Sequence, residues 1–287
     1  MYTRVVSVDA SASAVWCSPS PEPTGYYQLL IASGARARAP TFEGAYLPGA
    51  LTLRTIADAG QVYDALKLRG LKTAVVSGGG ALGLEWAHAL LEHGVKVIER
   101  APRFTPGALD EVASDLLAAR LRKACIDVLL NDEVHVVHPG PRGVSAVTLA
   151  SGRSVPCELV AAALGVLPNS GFLANTGLNL APNGAVAVDS RLRSSVPNVW
   201  AAGDVANVAG EWLALWEPAR LQARAAAQNM RGGNVEHRPG AHYFATRLFD
   251  LDFAHRQDRA SRWPASAATI ACSPARSLNR RRSRSAS

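Results

Sequence analysis

The chain has 287 residues, 48% of them hydrophobic, which is enough apolar material for one large core or two modest ones. No stretch approaches the roughly 18 consecutive apolar residues of a membrane span, and the N-terminus lacks the apolar run of a signal peptide, so we expect a soluble, cytoplasmic protein. Residues 1–255 carry 22 Lys and Arg against 22 Asp and Glu, whereas residues 256–287 carry eight Arg and one Asp, which accounts for the net charge of +7. Because the body is neutral and only the tail is basic, the charge argues against nucleic acid as a partner.

The N-terminal part of the chain predicts strands joined by loops. Residues 5–16 alternate apolar and polar side chains in the manner of a short hairpin. The segment 17–25, CSPSPEPTG, is rich in Pro and Ser and is interpreted as a loop. Residues 27–32, YQLLIA, predict a buried strand that ends at a tight turn of Ser33 and Gly34.

The middle of the chain predicts a βαβ unit. Residues 56–69 have amphipathic spacing and precede Gly70, which is typical of a helix closed by glycine. A strand at 73–76, a helix at 81–93 and a strand at 95–98 then follow in order. Such a unit places two parallel strands on either side of a right-handed helical crossover.

A second helix and a set of short strands follow this unit. The helix is predicted over 109–124. The strands are predicted at 128–130, 134–137, 144–149 and 159–163, and we interpret them as a meander that returns to a buried strand.

The C-terminal third predicts one more strand, one helix and a tail. The strand covers 198–202 and ends at Gly203 and Asp204, and the helix covers 216–230. Beyond residue 255 the apolar periodicity ends and Arg, Ser and Ala dominate, so we interpret 256–287 as a basic disordered tail.

The segment from 73 to 99 carries the most specific motif. Gly78, Gly80 and Gly83 occupy the three glycine positions of GxGxxG. The first glycine permits the tight turn from strand to helix, the second leaves room for a pyrophosphate, and the third lets helix and strand pack closely. Amides at the start of the helix, around Ala81 and Leu82, are expected to hold the phosphates.

An acidic residue completes this motif. Glu99 ends the second strand, 21 residues after Gly78, where its carboxylate can accept hydrogen bonds from the adenosine ribose. A carboxylate there favours NADH over NADPH, because it repels a 2′-phosphate. Arg100 and Arg103 lie beside it and could contact that phosphate, or they could be ordinary solvated arginines.

The cysteines and histidines predict neither a disulfide framework nor a metal site. The cysteines Cys17, Cys125, Cys157 and Cys272 stand far apart and form no CxxC pair. The seven histidines are scattered too, and His88 and His93, which share a predicted helix, lie five residues apart, a spacing that does not direct both rings at one ion. We therefore expect no metal.

Several stretches together resemble the pyridine nucleotide–disulfide oxidoreductase superfamily of FAD-dependent, NAD(P)H-using enzymes. They occur in the family's order and the match covers roughly residues 1–254, which is far more specific than any one motif. The similarity is strongest to single-subunit ferredoxin or rubredoxin reductases and to the flavin module of assimilatory nitrite reductases. The matching stretches are 26–40, 53–59, 75–85, 99–104, 164–169 and 194–207.

This resemblance implies further cofactor contacts. It places the turn of Ser33 and Gly34 near FAD and puts the Asp204 carboxylate, after Gly203, on the ribityl hydroxyls of the flavin. It also includes Gly165 among the cofactor-binding residues. Glu85 could lie near the nicotinamide, or it could be an ordinary carboxylate near the helix N-terminus. As an alternative, Asp204 could merely cap the segment that follows it.

The resemblance also implies the fold and the domains. We expect an α/β protein in which a Rossmann-like, three-layer NAD(P)-binding domain is inserted in an incomplete FAD-binding domain. The NAD(P)-binding domain is predicted over 56–168, between FAD-domain segments at 1–55 and 169–232. A C-terminal domain is predicted to begin at 233–255, ahead of the tail.

Two of the departures from the family pattern bear directly on function. The family opens with its own GxGxxG for the FAD pyrophosphate, and this chain has none before Gly78, so we interpret it as truncated at the N-terminus. The CxxxxC of disulfide reductases is absent as well, which argues against disulfide reduction.

The expected function is that of an FAD-dependent NAD(P)H oxidoreductase, with NADH preferred. Hydride passes from NADH to FAD, and electrons pass on to a redox protein such as ferredoxin, rubredoxin or a reductase or oxygenase component. A second copy of the chain is a further expected partner. No catalytic side chain is predicted, since the cofactors perform the chemistry. The alternative is a non-catalytic truncated remnant that only binds NAD.

Overall fold

The computed structural model describes residues 3–67, 70–105, 109–238, 242–248, 251–257 and 267–272. Its helices are α1 (Ile56–Lys67), α2 (Ala81–Ala89), α3 (Glu111–Lys123) and α4 (Trp216–Met230), with a 3-10 turn at Gly171–Leu173. Its strands are β1 (Arg4–Asp9), β2 (Ala14–Ser18), β3 (Thr24–Gly25), β4 (Leu29–Ile31), β5 (Ala35–Ala37), β6 (Ala50–Leu51), β7 (Ala74–Ser77), β8 (Val95–Glu99), β9 (Asp127–Leu130), β10 (Val134–Gly140), β11 (Gly143–Leu149), β12 (Ser154–Pro156), β13 (Leu159–Ala162), β14 (Val166–Pro168), β15 (Val186–Val188), β16 (Val199–Ala201), β17 (Ala206–Val208), β18 (Glu211–Trp212), β19 (His242–Leu248), β20 (Leu251–Gln257) and β21 (Ala267–Cys272).

The chain divides into two compact units. The first unit consists of residues 1–39 and 164–240, and the second consists of residues 40–163 and 241–287. Residues 40–163, the first segment of the second unit, are thus inserted between the two segments of the first unit, and the chain changes unit at Ala39/Pro40, at Ala163/Leu164 and after residue 240. The first two changes come earlier than the predicted domain limits after residues 55 and 168, and the third comes later than the limit after residue 232. The early start has a structural cause, since β6 already pairs with β13 of the second unit.

The second unit is built on a five-stranded sheet in the order β6-β13-β7-β8-β9, in which every pairing is parallel. Alternate side chains along the strands point to opposite faces. On one face, Val76 and Val97 pack with residues of α1, α2 and α3 in one core. On the other face, Val75 and Ile98 pack against β10, β11 and β12, which form a separate antiparallel sheet.

This arrangement confirms the expected α/β, Rossmann-like fold and corrects one placement. Residues 128–130 were interpreted as part of the meander, but β9 instead pairs in parallel with β8 as the last strand of the main sheet. Its side chains explain the difference, because Val128 and Leu130 pack with the helical core while Leu129 packs on the opposite face. The meander itself consists of β10, β11 and β12.

The first unit contains several small sheets around one core. The predicted N-terminal hairpin is confirmed, with β1 and β2 paired and β3 added beside β2. Strands β4 and β16 pair in parallel, and β15, β17 and β18 form another sheet. Helix α4 has the bounds that the sequence predicted, and it contributes Ala225 and Ala226 to the core around β16.

The C-terminal part contains an antiparallel sheet of β19, β20 and β21. Residues 267–272 pair with β20, which differs from the disorder expected from 256 onward. Thr269 and Ile270 are β-branched, and such residues favour strands. The rest of the expected tail after Gln257 lies outside the described residues. Among the described residues, no helix combines the length and apolarity that crossing a membrane requires.

Candidate functional site

The glycine-rich turn of the second unit joins β7 to α2. Gly78 has φ of +104°, a backbone conformation that side chains disfavour, and an added Cβ would stand 2.5 Å from the carbonyl oxygen of Ala163. Its N–H donates to the carbonyl of Ile98 at 2.8 Å, which fastens the turn to β8. Glycine is therefore required at this position for reasons of both space and backbone angle.

The other two glycines of the motif differ from each other. A Cβ on Gly83 would overlap the backbone carbonyl of Gly78, so this glycine lets α2 pack directly against the turn. Gly80, the N-cap of α2, has φ of −74°, and its added Cβ would meet nothing within 4 Å. The structure itself therefore does not require glycine at position 80, where the open space leaves room for a ligand against bare backbone.

Helix α2 presents its N-terminus at this open position. No acidic residue lies in its first turn and no side chain caps it. The first amides of a helix, here those of Ala81, Leu82 and Gly83, have no partner within the helix and carry the positive end of its dipole. These amides suit a pyrophosphate, as the sequence predicts.

Glu99 lies against the same turn. One carboxylate oxygen accepts the N–H of Gly79 at 2.5 Å, and the other accepts the N–H of Ala101 at 2.7 Å. A carboxylate offers about four acceptor positions, so two remain for the hydroxyls of a ribose. Phe104, which is fully buried, packs against Gly79, where a Cβ would overlap its ring.

The charged neighbours of Glu99 already have partners. The guanidinium of Arg103 donates to the carbonyl of Leu109 at 2.7 Å. Arg100 is paired with Glu133, with 3.8 Å between the charged atoms.

Glu85 is the fifth residue of α2, beyond the first turn, and is exposed. Its place near the nicotinamide stays a prediction.

In the first unit, the two predicted FAD-binding turns lie at one sheet edge. Ser33 and Gly34 follow β4, and Gly203 and Asp204 follow β16. Since β4 and β16 are parallel and in register, with Ile31 opposite Ala201, their carboxyl ends coincide. The structure thus brings together residues that are remote in the sequence.

A buried glutamine that sequence reasoning missed holds the second of these turns. Gly203 has φ of +81°, and its N–H donates to the side-chain oxygen of Gln222 at 2.8 Å. Gln222 is only 2% exposed and lies on the core face of α4, where a polar residue interrupts an apolar stripe. A polar residue at a core position of α4 is the sequence signal that could have identified Gln222 as a supporting residue. Trp212 adds a second support, because its indole N–H donates to the backbone carbonyl of Asp204 at 2.9 Å.

The turn of Ser33 and Gly34 is fastened to the segment that leads out of β14. The Ser33 hydroxyl donates to the backbone carbonyl of Asn169 at 2.6 Å, and the Asn169 amide donates back to the Ser33 carbonyl at 3.0 Å. The Ser33 hydroxyl thus serves a structural contact here, and its predicted contact with FAD stays a prediction. Gly165 is exposed, and its carbonyl accepts the N–H of Arg38 at 2.9 Å.

The buried thiol of the second unit is unsuited to redox chemistry. Cys157 is 1% exposed and packs in the core beneath β10, β11 and β12. Burial raises the pKa of this thiol to about 12, so the reactive thiolate is scarce at neutral pH. Cys157 is a structural residue.

The fold and these turns define a two-unit α/β protein with a dinucleotide-binding βαβ motif in its inserted unit. A family model described as pyridine nucleotide-disulphide oxidoreductase matches residues 1–227. The chain belongs to this family.

Known relatives agree with this assignment. The NADH oxidase of Methanocaldococcus jannaschii is 29% identical over 261 residues, which cover 87% of this chain and 58% of the relative. The rubredoxin-NAD(+) reductase of Pseudomonas putida is 33% identical over 208 residues, covering 72% and 53%. Among solved structures, a ferredoxin reductase from Rhodopseudomonas palustris aligns with a TM-score of 0.82 and 28% identity, covering 91% of this chain and 65% of that one. The chain thus spans between about half and two thirds of the length of these relatives.

Proposed function

We propose that the chain forms the nucleotide-binding part of an FAD-dependent NADH oxidoreductase. The observation that carries the proposal is Gly80, which the packing leaves in open space at the N-terminus of α2, beside Glu99. Bound NADH and FAD would supply the hydride-transfer and electron-transfer chemistry, which the protein itself lacks. The protein's own part is to bind and orient these groups.

The second unit supplies the nicotinamide-dinucleotide site. The amides of Ala81, Leu82 and Gly83 hold the pyrophosphate, since no side chain competes for them. Glu99, fixed by two backbone N–H groups, accepts the ribose hydroxyls with its remaining lone pairs. The same carboxylate disfavours the extra phosphate of NADPH, which is why we propose NADH as the preferred donor.

The first unit supplies contacts for FAD. Asp204 stands at the carboxyl end of β16, and its backbone is held by Gln222, through Gly203, and by Trp212. The carboxylate on this fixed backbone suits the ribityl hydroxyls, as the family resemblance implies. Gly34, with φ of +67° and no neighbour within 4 Å of an added Cβ, leaves room for a ligand beside it.

We propose a redox protein as the electron acceptor and the cytoplasm as the location. Two relatives support the acceptor class, as their names are rubredoxin-NAD(+) reductase and ferredoxin reductase. The location is supported by Cys17, Cys125 and Cys157, which are free thiols and suit a reducing compartment.

The test is an absorption spectrum of the purified 287-residue chain with added FAD, followed by anaerobic titration with NADH. We expect flavin that stays with the protein after gel filtration and bleaches on addition of NADH. Retained flavin that NADH leaves unbleached would contradict the oxidoreductase. A colourless protein that still changes the fluorescence of added NADH would instead support the alternative of a non-catalytic, NAD-binding module.

A further inference from the structure

An acidic loop of residues 131–133, which follows β9, lies against the end of β8. The N–H of Asn131 donates to the carbonyl of Ala101 at 3.1 Å, and the N–H of Asp132 donates to the carbonyl of Glu99 at 3.2 Å. These backbone bonds anchor the loop beside the segment that carries Glu99 and Arg100.

The side chains of this loop differ in what they contact. The Asp132 carboxylate accepts the hydroxyl of Ser151 at 2.6 Å and is therefore turned toward the meander. Glu133 instead faces Arg100, with 3.8 Å between the carboxylate oxygen and the guanidinium nitrogen. The guanidinium of Arg103 is bonded to the carbonyl of Leu109. Of the two arginines that lie near Glu99 in the sequence, Arg100 is thus the one whose partner is an exposed side chain.

This pairing bears on the choice between NADH and NADPH. The two cofactors differ by a 2′-phosphate, for which a guanidinium is the preferred protein ligand. A guanidinium that is held by a carboxylate has its charge offset and must give up that contact to bind the phosphate. Both side chains are largely exposed, at 82% for Arg100 and 54% for Glu133, so the pair is weak and its effect is modest.

We propose that Glu133 is a positioning residue for cofactor selectivity, which holds the Arg100 guanidinium and so disfavours NADPH. The inference rests on the proposed function, because it requires the dinucleotide to bind with its ribose at Glu99. It assigns a role in the nucleotide site to a residue outside the βαβ motif. Glu133 acts through Arg100.

The experiment is isothermal titration calorimetry of the full chain with NADH and with NADPH. For Glu133→Gln we expect the Kd of NADPH to fall about two- to fivefold while that of NADH is unchanged, as the release of one exposed ion pair implies. A matched control is Glu92→Gln, which removes the same charge at an exposed position beyond the carboxyl-terminal end of α2. We expect this control to leave both Kd values unchanged.

The Arg100→Ala background tests whether Glu133 acts through the arginine. There, Glu133→Gln should no longer change the ratio of the two Kd values. The inference would be overturned if Glu133→Gln still changed the ratio of the two Kd values in this background, or if the single variant left that ratio unchanged. In either case, NADH binding by the chain would leave the proposed function standing. Failure of the unmodified chain to bind either nucleotide would overturn both.

Discussion

The two sets of glycine-containing turns, one in each unit, are built in different ways. In the second unit the turn from Gly78 to Gly83 lies in one short segment, and two of its glycines are required because a side chain would overlap the backbone. In the first unit the corresponding edge is assembled from two remote segments, and an added Cβ on Gly203 would be 3.7 Å from Ala219, an ordinary contact. The turn in the second unit has no space for a side chain at Gly78 or Gly83, whereas the turn at Gly203 has that space and is held by the hydrogen bond from its N–H to Gln222.

The largest expected effect is on folding of the second unit. Gly83→Ala would force a methyl group into the carbonyl of Gly78, and we expect a loss of stability on the order of 3 kcal/mol. Unfolding in urea, followed by circular dichroism, measures it. A matched control is Gly152→Ala, which has φ of +84° and open space around it, and should cost only about 1–2 kcal/mol. Equal losses in the two variants would show that packing does not dictate glycine at position 83.

The first unit should be sensitive to its buried glutamine. Gln222→Leu leaves the N–H of Gly203 without its acceptor, and we expect a loss of about 1–3 kcal/mol together with weaker FAD binding. Gln228→Leu makes the same substitution on the exposed face of α4 and should change neither quantity much. Thermal unfolding and flavin fluorescence would report both. Unaltered FAD affinity in a destabilised Gln222→Leu would restrict this residue to a purely structural role.

A third variant separates binding from folding. Gly80→Ala adds a methyl group in open space, so we expect a stability change below about 1 kcal/mol. The methyl occupies the space proposed for the pyrophosphate, and NADH affinity should therefore fall on the order of tenfold. Calorimetric titration with NADH tests this expectation. Unchanged NADH affinity would mean that the cofactor does not approach the backbone at this glycine.

The same contrast explains what the sequence could predict. The βαβ unit and its glycines were predictable because the whole motif lies in one segment with regular spacing. The bounds of helix α4, Trp216–Met230, were predictable from its apolar stripe, although the buried Gln222 interrupts that stripe. The contact of Gln222 with Gly203 was not predictable, because the spacing of apolar residues does not show which distant backbone group a buried side-chain amide contacts.

Strand pairing, too, was hard to predict where the partner strand lies far away in the sequence. Residues 128–130 were predicted as a strand, yet their partner β8 lies across α3, and the sequence pattern alone placed them with their neighbours in the chain. Strand β6 has only two residues, too few for any alternation, and it exists because β13 pairs with it. This pairing places residues 50–51, which the sequence assigned to the first FAD-domain segment, with the second unit.

The smallest expected effect concerns charge in the second unit. Glu158 accepts the N–H of Lys72 at 2.7 Å and pairs with Arg142 at 2.6 Å, which ties the start of β13 to the start of β7. The hydrogen bond from Lys72, assisted by Arg142, lowers the pKa of Glu158 below its usual 4.5. A lowered pKa in the folded state means that the ionised carboxylate stabilises the fold above the unfolded value, and that this contribution disappears as the pH falls through the folded value.

Glu158→Gln should therefore be less stable than the unmodified chain at pH 7, and the difference should shrink as the pH falls below about 4. Urea unfolding across this pH range measures both. Arg142→Ala should show a smaller loss with the same pH dependence, because the N–H of Lys72 still reaches the carboxylate. A difference that is constant with pH would assign the loss to packing. The effect is small because Glu158 lies near the surface, where solvent screens its charge, whereas the glycines of the same unit act in its close-packed interior.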